Sequence, residues 1–142
     1  MNMIAIITVT FLVSLGMIHF YWAFGGKAGL DRALPTKDGR RLINPGRFLT
    51  FLVGIFLSAF AFVAYLLRFD GGVSDGTVYA GWALSALFFL RAVGDFNAVG
   101  FFKKIKSSDF AAYDTKYYSP FCVYFGLAFA LLSYRAQQMI GG

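Results

Sequence analysis

Ala80 to Phe102 reads AGWALSALFFLRAVGDFNAVGFF, and the reading of this stretch decides the fold. It is long and apolar enough to cross a bilayer as a helix, yet it contains Arg91 and Asp95. Residues four apart share one face of a helix, so the two side chains are spaced to meet. An ionised group at mid-membrane costs roughly 2.5–3.5 kcal/mol on insertion scales, so a span that holds two has a use for them. The stretch predicts a membrane span over 77–102 with a polar site within it.

The rest of the composition agrees. Of 142 residues, 58% are hydrophobic and only 14% charged, about half the charged share of a typical soluble domain. The 18 phenylalanines and the absence of glutamate fit a small multi-pass membrane protein. Three further apolar runs predict spans over 3–24, 48–67 and 119–134. The expected fold is therefore all-α, a polytopic four-transmembrane-helix bundle forming a single domain over 1–142. The net charge of +6 does not indicate nucleic acid, because the basic residues sit between apolar runs where topology requires them. Met1 to Met17 lacks the basic start and small-residue cleavage pattern of a secretory signal, and reads as a retained first span. Cys122 is the only cysteine and suits a small buried hydrophobe.

Punctuation between the runs is clear. Gly25-Gly26 fits a helix stop, with Tyr21 and Trp22 suited to an interfacial belt. Asp38-Gly39 signals a turn, Asn44-Pro45 a helix start, and Ser119-Pro120 a second start of the same kind. Pairs of small residues four apart predict close helix packing: Gly54 with Ser58, Gly81 with Ser85, Gly94 with Ala98, and Gly126 with Ala130. The segment after Phe102 interleaves Lys103, Lys104, Lys106 and Lys116 with Phe110, Tyr113, Tyr117 and Tyr118, and suits the headgroup layer. The loop after span one holds six Lys/Arg and the loop after span three holds four, against Arg68 and Arg135 on the other side. This asymmetry predicts a bacterial inner-membrane protein with both basic loops in the cytoplasm and both termini outside.

Depth along the helices gathers the polar residues. His19 lies roughly 7–8 Å from the cytoplasmic end of span one, and Asp95 roughly 9 Å above Phe101, at 1.5 Å per residue. Gly16 and Trp22 share the His19 face, the glycine leaving space beside the ring. The candidate catalytic residues are therefore His19 as acid or base and Asp95 as its orienter. The candidate ligand-binding residues are Arg91 as anion clamp, with Trp22, Asn97 and Tyr118 at the same border. Blander roles stand beside these: an Arg91–Asp95 structural ion pair, and a His19 satisfied near the interface. One histidine and no glutamate give no metal set, and no cofactor is indicated. Two functions remain open. The chain either binds a membrane lipid or related amphiphile in a cytoplasm-facing pocket, with a small enzyme as the stronger form, or serves as an accessory subunit of a larger membrane complex. A membrane-protein partner or a homo-oligomer is compatible with both.

A set of motifs runs through the chain: His19-Phe20-Tyr21-Trp22-Ala23-Phe24-Gly25-Gly26, Arg91-Ala92-Val93-Gly94-Asp95-Phe96-Asn97, Gly100-Phe101-Phe102-Lys103-Lys104, and Tyr118-Ser119-Pro120, with Pro35, Phe110 and Asp114 between them. With these the chain resembles a family of small four-span bacterial membrane proteins catalogued as a domain of unknown function. The resemblance covers nearly the whole length. It implies the four-span layout and a single site shared by the motifs, and it brings no reaction. That family often has a basic residue after Gly-Asp-Phe, where this chain has Asn97.

Overall fold

The computed structural model describes residues 1–37, 40–71 and 73–141, leaving the predicted Asp38-Gly39 turn outside the described residues. The fold is all-helical apart from a two-residue antiparallel ladder. Helix α1 spans Asn2–Ala23, and a single turn, α2, spans Leu30–Ala33. Strands β1 (Thr36–Lys37) and β2 (Arg40–Arg41) follow. The long helices α3 (Arg47–Phe69) and α4 (Asp75–Val93) come next. Helix α5 (Asp109–Tyr113) runs through a π turn (Asp114–Tyr118) into α6 (Ser119–Ile140).

The four long helices pack as two tight pairs, α1 with α3 and α4 with α6. Small residues set both contacts. A Cβ on Gly16 would lie 3.2 Å from the Gly54 carbonyl and 3.1 Å from Ser58 Oγ, so α1 and α3 approach with almost no side chain between them. The space left by Gly16 thus faces α3, rather than the imidazole of His19 as the sequence suggests. In the other pair Ser85 Oγ donates to the Gly126 carbonyl at 2.8 Å, and Gly81 lies against Ser133. The pairs meet through Leu12, Ala61, Leu67, Leu84 and the rings of Phe88, Phe125 and Phe129. Phe60 of α3 meets Phe88 of α4 edge to face at 6.1 Å.

Among the described residues three helices, α1, α3 and α4, are long and apolar enough to cross a membrane. A third or less of each apolar stretch is buried inside the protein, so most of that surface faces outward. Phe48, Phe56, Phe62 and Leu90 are exposed large hydrophobics of this kind. Helix α6 is as long as α1 but mixes serine, tyrosine, arginine and glutamine into its apolar run.

Two boundaries differ from the sequence reading. The helix expected over 77–102 ends at Val93, because Gly94 turns out of it with φ +89°. Gly94 and Ala98 are therefore not a helical packing pair. The helix start expected at Ser119-Pro120 is instead a continuation. Ser119 is helical despite preceding a proline, and its N–H bonds the Asp114 carbonyl five residues back. Pro120 has no N–H to give. The chain widens to a π turn just before it, where the normal ladder cannot continue.

Candidate functional site

The loop after α4 explains the Arg-x-x-Gly-Asp-Phe and Gly-Phe-Phe-Lys motifs. Gly94 (φ +89°) and Gly100 (φ +88°) lie back to back, and a Cβ on either would strike the backbone of the other's neighbourhood. Asp95 Oδ1 accepts the N–H groups of Asn97, Ala98 and Val99 at 2.9, 2.8 and 2.9 Å. These donors, Asn97 first, hold its carboxyl below the ordinary aspartate range although partial burial opposes them. The expected Arg91–Asp95 pair on one helix face is therefore replaced: Asp95 lies beyond the helix and organises its own loop.

Arg91 finds a different carboxylate. Asp114, on the first residue of the π turn, is fully buried. Its Oδ1 accepts from Arg91 Nη2 at 3.0 Å. Its Oδ2 accepts from Lys103 Nζ at 3.0 Å and from the Gly100 N–H at 2.8 Å. Lys103 Nζ, itself buried, also donates to the Gly100 carbonyl at 2.9 Å and to Thr115 Oγ1 at 2.6 Å. Burial alone would raise the Asp114 pKa. The Lys103 and Arg91 hydrogen bonds, the Arg91 charge and the Gly100 N–H outweigh it and leave the carboxyl below its ordinary value. Three chain segments thus close on one carboxylate. π turns often occur where a helix must re-aim a side chain, and this one carries Asp114 and Thr115 into the cluster.

The remaining predicted site residues are dispersed. The His19 Nδ1–H donates to the Leu15 carbonyl at 2.8 Å. The ring lies edge-on to Trp22 with centroids 5.2 Å apart. Among the described residues, neither Asp95 nor Arg91 is a hydrogen-bond partner of His19. Asn97 accepts the N–H groups of Lys104 and Ile105 through its carbonyl. Tyr118 donates to the Arg32 carbonyl at 3.2 Å, and Arg32 lies over the Tyr113 ring at 5.4 Å. Burial pushes the Tyr118 phenol above its ordinary pKa. These contacts dock α2 on α5 and join the two helix pairs at one end.

At that same end lies a cleft of about 180 Å³, between the C-terminus of α1, α2 and the first turn of α3. Trp22, Leu30 and Leu34 line it with apolar surface, and Lys27 and Arg47 bring two cations to it. Asn44, Thr50 and the Gly25-Gly26 backbone complete the lining. Among the described residues no carboxylate lines the cleft, and Lys27 and Arg47 form no ion pair. Trp22 is fixed in place by donating Nε1–H to the Ala28 carbonyl at 2.8 Å. Gly25, at φ +104°, lies beneath the Arg47 guanidinium, 3.5 Å from where a Cβ would stand. The first N–H groups of α3 lack helical acceptors and add to the positive field. Such a site suits an anion with an apolar attachment. A second cleft, about 330 Å³ and lined by Ile6, Val9, Thr10, Tyr65 and Phe69, holds no charge. Among the described residues no three His, Cys, Asp or Glu side chains gather as a metal set.

Of the predicted residues, then, Trp22 lines the cleft and Arg91 belongs to the buried cluster. Lys27, Arg47, Lys103 and Asp114 are the residues that sequence reasoning passed over for these roles. The sequence signal for Lys103 and Asp114 is their place, with Gly94 and Gly100, in the motif set that carries the family resemblance.

Residues 12–129 match the family model described as a protein of unknown function, DUF3995. No curated protein and no solved structure matches the chain.

Proposed function

Because this chain belongs to the DUF3995 family, whose function is unknown, we propose its role from its own geometry: a four-span membrane protein that binds the anionic headgroup of a lipid-like amphiphile beside Trp22. The observation that carries the reading is the cleft itself, where Lys27 and Arg47 meet the apolar surface of Trp22, Leu30 and Leu34 with no carboxylate among the described lining residues. The fourth span is α6, whose 22 residues reach roughly 33 Å at 1.5 Å per residue. The Lys/Arg asymmetry of the loops puts the cleft on the cytoplasmic side of a bacterial inner membrane, with both termini outside.

Binding is favoured over catalysis by the contacts of His19 and Asp95. Each is engaged locally, on Leu15 and on the 97–99 backbone, so an acid–base pair loses its geometric support. The accessory-subunit alternative assigns the Arg91–Asp95 pair to assembly, and that pair is absent here: Arg91 is paired with Asp114 within the chain, and Asp95 with its own loop.

The test is to purify the chain from membranes and identify retained amphiphiles by mass spectrometry. Wild type is expected to hold an anionic species near one per chain, and Lys27→Gln/Arg47→Gln to lose it while staying folded. Equal retention of neutral and anionic lipids by both proteins refutes the reading.

A further inference from the structure

Loop 94–106 presents a second, separate surface. The sequence reads its apolar residues as the end of a span, but they fold outside the helix. Phe96, Phe101 and Phe102 are 57%, 41% and 63% exposed. Phe96 holds the left-handed region at φ +61°, where an aromatic residue is strained, and its ring pairs with Phe102 at 6.3 Å.

The backbone beneath these rings is largely self-satisfied. Asp95 takes three N–H groups, and the Asp95 N–H bonds the Val99 carbonyl. The Phe101 N–H returns to the Ala92 carbonyl of α4, and the Gly100 N–H is tied to Asp114. Irregular backbone enters a low-dielectric layer only when its polar groups are paired internally, and most N–H groups from Gly94 to Phe101 are so paired. Lys103 is turned inward to Asp114, whereas Lys104 and Lys106 are exposed beside the rings.

We propose that loop 94–106 is a pre-formed wedge that inserts Phe96, Phe101 and Phe102 into the lipid leaflet at the end of α4, with Lys104 and Lys106 on anionic headgroups. Outward rings on a paired backbone, flanked by cations, match the layered chemistry of an anionic bilayer interface. The inference stands on different residues from the cleft and does not depend on what the cleft binds.

The test uses the full chain with Cys122→Ser, reconstituted in vesicles of phosphatidylglycerol and phosphatidylcholine. A nitroxide is attached at Phe96→Cys or Phe102→Cys, with Lys37→Cys as a site expected in water. Both rings are exposed, so their loss leaves the loop hydrogen bonds intact, and circular dichroism matching the parent confirms folding. Power-saturation electron paramagnetic resonance should find positions 96 and 102 several-fold more accessible to oxygen relative to a nickel chelate than position 37. Chelate accessibility equal to that of position 37 at both sites overturns the wedge. Lys104→Gln/Lys106→Gln, or vesicles of phosphatidylcholine alone, should move position 102 toward water. A depth indifferent to both changes overturns the anionic pairing.

Discussion

Two groups of cations lie at the same end of this protein, and they are built in opposite ways. In one, Arg91 and Lys103 converge on the fully buried carboxylate of Asp114, with the Gly100 N–H completing its shell. In the other, Lys27 and Arg47 border an open cleft with no carboxylate among its described lining residues. The first group closes a fold, since each charge is answered by the chain. In the second, no acid stands beside the cations among the described residues. Cations near glycines and aromatics look alike in both places along the sequence, and the difference is only whether an acid is brought to them.

The sharpest way to break this comparison is at Asp114. Asp114→Asn strands the buried Lys103 ammonium, takes the carboxylate from the one-third-exposed Arg91, and should cost about 3–5 kcal/mol in unfolding measurements. A loss under about 1 kcal/mol would show that the cluster does not hold the fold. The pH dependence carries a sign. A carboxyl whose folded pKa lies below its unfolded value stabilises above the unfolded pKa, and that stability is lost as pH falls through the lowered folded value. Wild type should therefore lose stability on acidification in that window, and Asp114→Asn should lose less.

Gly100→Ala is the next largest change. It places a Cβ against Gly94 at φ +88° and should cost about 1–3 kcal/mol, read by the same unfolding experiment. On the open side the pattern reverses. Lys27→Gln/Arg47→Gln should alter stability by no more than about 0.5 kcal/mol. The same variant should weaken retention of an anionic amphiphile by about tenfold or more, the loss of at least one charged hydrogen bond. If it unfolds the protein instead, the two groups are not different in kind. The smallest effect belongs to His19→Gln. It removes one side-chain bond to the Leu15 carbonyl, worth about 0.5–1.5 kcal/mol, and should leave amphiphile retention unchanged. A marked loss of retention would restore His19 to the site.

The legible parts of the molecule are those set by neighbours in sequence. Apolar runs mark the long helices, because a span must bury some twenty residues in succession. Gly54 with Ser58 and Gly81 with Ser85 mark the faces on which the helices meet, since only small residues permit such approach. The polar end of the molecule is likewise visible in the positions of Trp22, Arg91 and Tyr118. The partners of these residues are not. Helical spacing makes Asp95 the obvious mate for Arg91, and that inference fails because Gly94 ends the helix one residue earlier.

The sequence alone therefore determined an apolar helical protein with a basic end, the small-residue faces on which its helices pack, and its family. These follow from hydropathy, spacing and residue volume, which act over a few turns of chain. Tertiary structure alone decided that Arg91 pairs with Asp114, that Lys103 turns inward while Lys104 stays out, and that Lys27 and Arg47 share a cleft. Those outcomes depend on how α2, the 94–106 loop and the π turn close against one another, and electrostatic pairing at 3 Å is set by that closure.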